Sequence, residues 1–369
     1  MSRVRFLMIG GFLGAGKTTA IARLARHFMD QGLAVGLVTN DQADDLVDTE
    51  SLRAQGFNVG EVTGACFCCK FNGLLDTMSQ ISQDQRPDMI LAEPVGSCTD
   101  LVSTVIEPLK RFYGDEFEVG PLAVLVKPEH GRKILAGDMS FGFSPKAAYI
   151  FLKQIEEADI VVVNKIDKLD SAGREALVQL VRERYPTKTV VASSSRTGAG
   201  FSELVEELRR PGPARQQAMD VDYDIYAEGE AELGWLNCLV NIEARDATKE
   251  FPLDDVVLEL VHRLKQSLIA RGAEPAHLKV LAEADGESAI ANLVSSETEV
   301  DLSRSAGTSA SRAELIVNAR VAIAPEALAE VVAETVAGLA SDYGWEHSIT
   351  DLQSFRPGRP MPTHRITAG

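Results

Sequence analysis

The sequence has no run of about 18 uninterrupted apolar residues, so we expect no membrane span. Basic residues are scarce: 37 Lys and Arg stand against 54 Asp and Glu, which gives a formal net charge of −17. A chain with this negative charge repels the negatively charged phosphates of nucleic acid, so we expect it not to bind nucleic acid. Five cysteines, three of them within four residues, do not form a disulfide framework and favour a reducing, cytoplasmic location.

The apolar run near the N-terminus, which follows Arg3 and Arg5, superficially resembles a secretion signal. No small-residue cleavage site follows it, and the run leads directly into a glycine-rich stretch, so we expect a first β-strand and its loop. Apolar residues make up 45% of the 369 residues, which is enough for a packed core and excludes general disorder. The length predicts two or three domains.

Residues 1–210 alternate short apolar runs with helical stretches. We predict strands at 4–9, 34–39, 57–62, 88–92, 122–126, 160–163 and 189–192, and helices at 18–31, 73–85, 145–157 and 174–185. Nearly continuous Val, Ile and Leu runs are typical of strands buried on both faces. The alternation therefore predicts an α/β domain with a mostly parallel sheet covered by helices.

The second half has a different pattern. Pro211 and Pro213 end the preceding helix, and residues 220–232 carry six carboxylates without Lys or Arg. We expect a solvated acidic linker over 211–234, the alternative being a surface for a hard cation or a partner. A smaller α+β domain is predicted over 235–354, with strands at 236–244, 278–283, 289–294 and 314–323, and helices at 253–271 and from residue 325 onward. Residues 295–312 predict a long hairpin loop, and 355–369 a flexible tail.

Residues 11–18 have the spacing of a phosphate-binding loop, which follows a predicted strand and opens a predicted helix. Its backbone N–H groups and the helix dipole would face phosphates, Lys17 would add a positive charge, and the Thr18 hydroxyl would ligate Mg²⁺. The predicted nucleotide-binding residues here are Gly14, Ala15, Gly16, Lys17, Thr18 and Thr19. The alternative is a glycine-rich turn that arose by chance.

Asn164, Lys165 and Asp167 follow the predicted strand at 160–163. The Asp167 carboxylate can accept two hydrogen bonds from guanine, which adenine cannot supply. Lys165 would lie over the base and Asn164 would brace the loops, although a plain turn at a strand end is the alternative. Residues 194–198 follow the last predicted strand, where backbone N–H groups would reach the guanine oxygen. Ser194, Ser195 and Arg196 are therefore included in the predicted guanine site, with an ordinary turn as the alternative.

Carboxylates end two other predicted strands. Glu93 ends the strand at 88–92 and could hold Mg²⁺ through water or orient the attacking water, while the Gly96 N–H could sense the terminal phosphate. A helix-capping role for Glu93 is the alternative. Asp41, which follows Asn40, is the predicted ligand of Mg²⁺ or the outer phosphate, and the later aspartates of that loop are equally explained by solvation.

Cys66, Cys68 and Cys69 place three thiols within four residues. Thiolates select soft or borderline ions such as Zn²⁺, and three ligands without a second pair favour an open site. A structural zinc knuckle and a redox thiol cluster are the alternatives, and Cys98 is either a fourth sulfur or a small buried side chain. Because ligands gather at the carboxyl ends of parallel strands, the metal would lie near the terminal phosphate, and coupling between the two ligands would be reciprocal.

Together these motifs resemble the CobW–HypB–UreG class of GTPases, and specifically its CobW-like branch. The resembling segments are residues 10–19, 40–41, 64–69, 93–96 and 164–167, which appear in the family's order within the first 210 residues. The resemblance implies a P-loop NTPase fold with a C-terminal α+β domain, hydrolysis of GTP to GDP and phosphate, and delivery of a metal or metallocofactor to a client. It also implies metal binding at the three cysteines, phosphate and Mg²⁺ binding at Lys17 and Thr18, an Mg²⁺-linked Glu93 and guanine recognition by Asp167.

The sequence departs from the family pattern in several places. Ala65 precedes the first cysteine where Gly is usual, Lys127 stands where a catalytic Asp often ends the strand, and 128–146 resembles an insertion. The six His are scattered rather than gathered in a tract, which argues against bulk metal storage.

We therefore predict a GTPase metallochaperone that binds Zn²⁺ or another divalent transition metal, with Co²⁺ as a further candidate, and serves a client metalloprotein. A GTP-dependent chaperone of a cobalamin-dependent (corrinoid) enzyme stays open as an alternative, as does a P-loop small-molecule kinase with structural zinc. The sequence leaves the oligomeric state open, a homodimer included.

Overall fold

A computed structural model describes residues 3–40, 47–83, 86–138, 144–210, 218–246 and 248–367. Its first part contains the strands β1 Val4–Gly11, β2 Val35–Asn40, β3 Val59–Val62, β4 Met89–Glu93, β5 Phe117–Val119, β6 Ala123–Val126, β7 Ile160–Val163 and β8 Thr189–Ala192. The helices of this part are α1 Lys17–Met29, α2 Val47–Arg53, α3 Phe71–Ile81, α4 Glu107–Tyr113, α5 Pro128–Ala136, α6 Pro145–Glu157, α7 Ser171–Arg184, α8 Phe201–Arg209 and α9 Tyr223–Ala231, with a π-helical turn at Val102–Ile106 and a 3₁₀ turn at Ile166–Lys168.

The second part contains β9 Gly234–Ala244, β10 Phe251–Pro252, α10 Leu253–Ala270, β11 Pro275–Ala284, β12 Glu287–Leu293, β13 Asp301–Arg304, β14 Ser309–Ala310, β15 Arg312–Val321, α11 Pro325–Tyr343 and β16 Trp345–Phe355. No helix within the described ranges combines the length and the apolar character needed to cross a membrane.

The first sheet has the order β3-β2-β4-β1-β6-β7-β8, and β5 pairs with the start of β1. All of its strand pairs are parallel. The seven strands predicted from apolar runs are present, which confirms the expected parallel α/β sheet. The additional strand β5 has only three residues, too few for a periodicity to indicate, and β3 starts two residues later than predicted.

Helices cover both faces of this sheet, and the central strand β1 shows why. Phe6 and Met8 pack into one apolar cluster, while Leu7 and Ile9 pack into a second cluster that includes residues of α1 and α8. Successive side chains of a strand point to opposite faces, so a strand buried on both sides must be apolar at every position.

The second sheet is antiparallel, with the order β13-β12-β11-β15-β9-β16. Helices α10 and α11 cover one face, and the predicted stripe of α10 is buried there. On β9, Leu236 and Cys238 face these helices, whereas Trp235 packs into a cluster of the first part of the chain. The other face of this sheet therefore lies against the first domain, an arrangement that the sequence did not indicate.

Two segments differ from the sequence predictions. Within the expected linker, residues 223–231 form helix α9, because the Asp222 side chain caps it by accepting from the backbone N–H groups of Asp224 and Ile225. Residues 211–217 lie outside the described part. The expected hairpin loop at 295–312 contains the edge strand β13, which pairs with β12, and the short strand β14. Acidic and polar composition alone did not reveal either element.

The predicted insertion at 128–146 contains helix α5, which begins at Pro128. The helix ends at Ala136, and the next residue, Gly137, has the left-handed conformation that terminates it. Residues 139–143 lie outside the described part. The adjacent Lys127 is fully buried, and its Nζ donates to the backbone carbonyls of Ala276 at 3.3 Å and Val294 at 2.8 Å. Burial lowers the pKa of Lys127 well below its ordinary value. Lys127 therefore connects the first domain to the second sheet.

The sequence predicts a flexible tail from residue 355, and the described part of that segment makes specific contacts with the rest of the chain. Strand β16 continues through Phe355, and the following chain lies against the first domain. The Thr363 N–H donates to the Cys68 carbonyl at 2.8 Å, and Arg365 Nε lies 2.7 Å from Oδ2 of the fully buried Asp100. A buried carboxylate requires a partner, and the tail supplies a cation for it.

Candidate functional site

Glycines shape the loop between β1 and α1. Gly14 and Gly16 have φ of 70° and 93°, in the left-handed region that favours glycine. A Cβ at Gly16 would lie 2.7 Å from Asn164 Nδ2, so a larger residue would disturb both loops. Helix α1 begins at the buried Lys17. The N–H groups of a helix's first turn have no partner within the helix. In α1 they lie together with the positive end of the helix dipole beside the glycine loop, a place where an anion is favoured.

The Thr18 hydroxyl stands between two carboxylates. Its Oγ1 lies 2.7 Å from Asp48 Oδ1 and 3.1 Å from Glu93 Oε1. Burial, followed by the charge of Asp48, raises the pKa of Glu93 to about 7. Burial also acts to raise the pKa of Asp48, but the charges of Lys279 and His277 and hydrogen bonds from Lys279 and Thr18 outweigh it and leave that pKa lowered. Asp48, which the sequence left as one of several solvated aspartates, thus belongs to this cluster.

The cluster fits a magnesium ion. Glu93 is 7% exposed, and its buried Oε2 has no hydrogen-bond partner within the part of the chain that the structure describes. A hydroxyl next to carboxylate oxygens is the kind of donor set that Mg²⁺ prefers, especially where a bound phosphate supplies further oxygens. Asp41, the other predicted Mg²⁺ ligand, lies outside the described residues.

The loop after β7 is joined to two others by Asn164. Its Nδ2 donates to the Ala15 carbonyl at 2.8 Å, and its Oδ1 accepts from the backbone N–H and the hydroxyl of Ser195, both at 3.0 Å. Asp167 accepts from the Ser194 hydroxyl at 2.5 Å. The three segments predicted to contact a guanine nucleotide therefore meet at one edge of the sheet.

Arg23 on α1 also holds this region, and sequence reasoning missed it. Its Nε donates to the Ser195 carbonyl and its Nη2 to the Arg196 carbonyl, each at 2.6 Å. Lys165 has φ of 58°, and burial lowers its pKa to about 8. The lysine is partly buried.

A cavity of about 530 Å³ connects these groups, a size typical of small-molecule sites. The predicted residues that line it are Gly14, Gly16, Lys17, Thr18, Thr19, Glu93, Gly96, Asn164, Lys165, Asp167, Ser195 and Arg196. Ala15 and Ser194 are buried behind it.

The second sheet also lines this cavity, through residues that sequence reasoning missed. Three buried polar atoms in its lining have no hydrogen-bond partner among the described residues: Trp235 Nε1, Asn292 Oδ1 and Arg304 Nη1. Such atoms are rare in folded proteins, and this mixture of donors and an acceptor fits a polar ligand such as a nucleotide. No sequence signal marked them, because a strand pattern does not say which face meets another domain.

The three cysteines lie just beyond β3, in a turn that leads into α3. The Cys66 Sγ atom is 2.8 Å from that of Cys68 and 3.4 Å from that of Cys69, and the latter two are 3.7 Å apart. Among the described residues, these cysteines are the group of three or more His, Cys, Asp or Glu side chains that could hold a metal ion, with all three sulfurs within 4.8 Å of one another. Hydrogen bonds from Cys68, then from Cys69, lower the pKa of Cys66 and favour its thiolate. The structure therefore holds three sulfurs at a separation from which one ion can contact all of them.

Two further groups lie behind the cysteines. Cys98 is 2% exposed and its thiol interacts with that of Cys66, an interaction that, with burial, raises the pKa of Cys98. Burial also raises the pKa of Glu230 on α9 to about 8. This carboxyl accepts from the Ser97 hydroxyl at 2.5 Å, and its buried Oε2 is without a partner in the described ranges. Sequence reasoning assigned this glutamate to a solvated linker.

Asn40 connects the cysteine turn to the cavity. Its Nδ2 donates to the backbone carbonyls of Val62 and Ala65, and its Oδ1 accepts from the Phe67 N–H, all at 2.8 Å. Asn40 itself lines the cavity and is 6% exposed. One side chain at the end of β2 thus touches the nucleotide-sized cavity and fixes the backbone that carries Cys66.

A parallel sheet with a glycine loop, a buried lysine and a hydroxyl flanked by carboxylates defines a P-loop NTPase fold. Residues 5–192 match the CobW/HypB/UreG nucleotide-binding domain, which is slightly more than half of the 369 residues. The chain belongs to the CobW/HypB/UreG family.

Several characterised proteins are similar to this chain. The zinc chaperone CobW of Sinorhizobium sp. is 28% identical over an alignment of 269 residues, and the match covers 62% of this chain and 72% of that protein. The zinc chaperone YeiR of Escherichia coli K12 is 27% identical over 174 residues, so the match spans 46% of this chain and about half (49%) of that relative. The Zn(II)-bound YjiA GTPase of E. coli has 16% identity and a TM-score of 0.39, with 92% of this chain and 99% of that chain covered. The strand order given above establishes the fold.

Proposed function

We propose that this protein is a GTP-hydrolysing metallochaperone. It would bind a divalent transition metal at Cys66, Cys68 and Cys69, and would couple GTP hydrolysis to delivery of that metal, or of a metallocofactor, to a client metalloprotein. The observation that carries the proposal is the bridge made by Asn40 between the cavity and the cysteine turn. A ligand that changes the end of β2 must change the backbone of the cysteine motif, and the reverse holds by linkage.

In this proposal the glycine loop and Lys17 bind the phosphates, with Thr19 and Gly96 at the wall of the cavity. Thr18, Asp48 and Glu93 hold Mg²⁺, which supplies positive charge against the phosphate oxygens when it is bound. Asp167 reads the guanine, and Ser195 and Arg196 close that end of the cavity. Membership of the family supports GTP as the nucleotide.

We infer Zn²⁺ as the metal, because thiolates favour it and two relatives are zinc chaperones. Another thiophilic divalent ion, Co²⁺ included, is the alternative to Zn²⁺ at this site. All five cysteines are free, which fits a reducing compartment, and we infer the cytoplasm.

Metal uptake tests the cysteine assignment. The Cys68→Ser/Cys69→Ser double variant should lose stoichiometric Zn²⁺ binding in equilibrium dialysis, because a hydroxyl is a poor ligand for this ion. Cys238→Ser is a matched control, since Cys238 is buried in the second domain. Unchanged Zn²⁺ stoichiometry in the double variant would rule out the site.

Nucleotide binding tests the assignment of the nucleotide site. Lys17→Ala should abolish binding of a fluorescent GDP and GTP turnover, whereas Lys249→Ala, at an exposed lysine of the second domain, should change neither. GTP turnover that persists in Lys17→Ala would refute the nucleotide site.

A further inference from the structure

The second sheet lies along the whole length of the nucleotide cavity. On β11, Leu278 and Val280 pack against the helices of their own domain, so the residues between and beside them face the first domain. His277 and Lys279 both line the cavity from that face. A strand more than 250 residues from the glycine loop in sequence thus presents a cation to the same space.

Lys279 reaches the phosphate end of the cavity. Its Nζ forms an ion pair with Asp48 Oδ1, the same oxygen that lies 2.7 Å from the Thr18 hydroxyl. The lysine side chain is 17% exposed. Thr18 in a phosphate loop lies on the side of the outer phosphates, so Lys279 stands at the end of the cavity where a third phosphate would lie.

Other contacts fix the second sheet in this place. Asn318 on β15 accepts from the Val47 N–H at 3.0 Å, at the first residue of α2. Val47 also packs against Leu281 and Ile316 of the second sheet. At the guanine end, Arg196 Nη1 pairs with Asp301 of β13 at 2.6 Å. The position of Lys279 is therefore held from both ends of the cavity.

We propose that Lys279 is a phosphate-binding residue that the second domain supplies to the nucleotide site of its own chain, where it contacts the terminal phosphate of GTP. The inference rests on the proposed function and names a residue of that same site.

The charges explain why the lysine would change partners. Without nucleotide, Lys279 neutralises Asp48. When Mg²⁺ occupies the oxygens of Thr18, Asp48 and Glu93, a second cation against Asp48 is unfavourable, and the nearest uncompensated anion is the outer phosphate. GDP lacks that phosphate, so the contact would distinguish the two nucleotides.

Binding of GDP and of a non-hydrolysable GTP analogue, each with Mg²⁺, tests this role without relying on turnover. In Lys279→Met the affinity for the GTP analogue should fall by about 10- to 100-fold, the range for a hydrogen bond to a charged group, while that for GDP changes by less than about threefold. Lys279→Arg should retain most of the preference for the GTP analogue over GDP, because it keeps the positive charge. This variant still tests the proposal if Lys279→Met does not fold. Lys133→Met is the matched control, because Lys133 pairs with Glu297 across the same domain boundary at 2.7 Å and lies outside this cavity.

The outcomes separate the two claims. An equal loss for both nucleotides, no loss for either, or the same loss in Lys133→Met would overturn the role of Lys279 and leave the proposed function standing. If the unmodified protein bound neither nucleotide, the proposed function would fail and this inference with it. A selective loss of the GTP analogue in Lys279→Met alone supports the assignment.

Discussion

The bridge at Asn40 leads to the sharpest prediction about coupling. Asn40→Ala removes all three hydrogen bonds that join the end of β2 to the cysteine turn, and leaves the glycine loop and the three thiols in place. We expect this variant to bind Zn²⁺ with an affinity that no longer depends on which nucleotide is bound. The cysteine turn would lose the hydrogen bonds that transmit a change at the nucleotide cavity to its backbone.

The magnitude follows from the geometry. All three bonds are 2.8 Å long and join buried or half-buried groups, and a typical bond of this kind contributes about 0.5–1.5 kcal/mol net. The free energy of unfolding should therefore fall by about 2–4 kcal/mol, which a domain of ordinary stability tolerates. Coupling between two sites is typically about 5- to 150-fold, and in Asn40→Ala the ratio of Zn²⁺ affinities in the two nucleotide states should approach one.

Competition calorimetry with a zinc chelator measures the Zn²⁺ affinity, first with GDP bound and then with a non-hydrolysable GTP analogue bound. The ratio of these two affinities is the quantity compared between variants. Asn58→Ala is the control, because Asn58 is exposed at the edge of β3 and makes one long contact of 3.5 Å. A ratio in Asn40→Ala that equals the ratio in the unmodified protein would refute the reasoning. A ratio of one in the unmodified protein would refute the coupling itself.

Two predictions concern stability. Burial raises the pKa of Glu157 to about 8 from an ordinary value of 4.5, so the folded chain holds an extra proton between these values, and the free energy of unfolding should fall as the pH rises through them. In urea unfolding between pH 5 and 7.5, the free energy of unfolding of Glu157→Gln should fall with pH less steeply than that of the unmodified protein, by up to about 1.4 kcal/mol per pH unit. The remaining dependence on pH includes the contribution of Glu230, whose pKa is also raised. An unaltered slope would contradict the assignment. Gly11→Ala should lower the free energy of unfolding by about 3 kcal/mol, because φ is 132° and the Cβ would lie 2.4 Å from a carbonyl oxygen of β6. Gly32→Ala, with φ of 85° and no atom within 4 Å, should lose only about 1 kcal/mol, and equal losses would show that the clash at Gly11 is relieved.

The parallel sheet could be predicted because its strands are apolar at every position, a pattern that burial on both faces requires. The phosphate loop and the cysteine motif are equally local. Spacing within 8 and 4 residues, respectively, brings their groups together whatever the rest of the chain does.

Asp48 and Glu230 show where such reasoning stops. Both stand in acidic segments that a sequence pattern assigns to solvent. In the folded chain Glu230 is buried and Asp48 is half-buried, because elements distant in sequence pack against them. Helix α9 was hidden for a similar reason, since its cap is a single aspartate within an acidic run.

The sequence by itself determined the nucleotide loop, the thiol cluster and the positions of the parallel strands along the chain, because these depend on neighbours along the chain. Only the tertiary structure decided that Asn40 bridges the two sites and that Lys279 enters the cavity from a second domain. The physical reason is that side-chain alternation says a strand has two faces, whereas the packing of one sheet against another domain decides what each face meets.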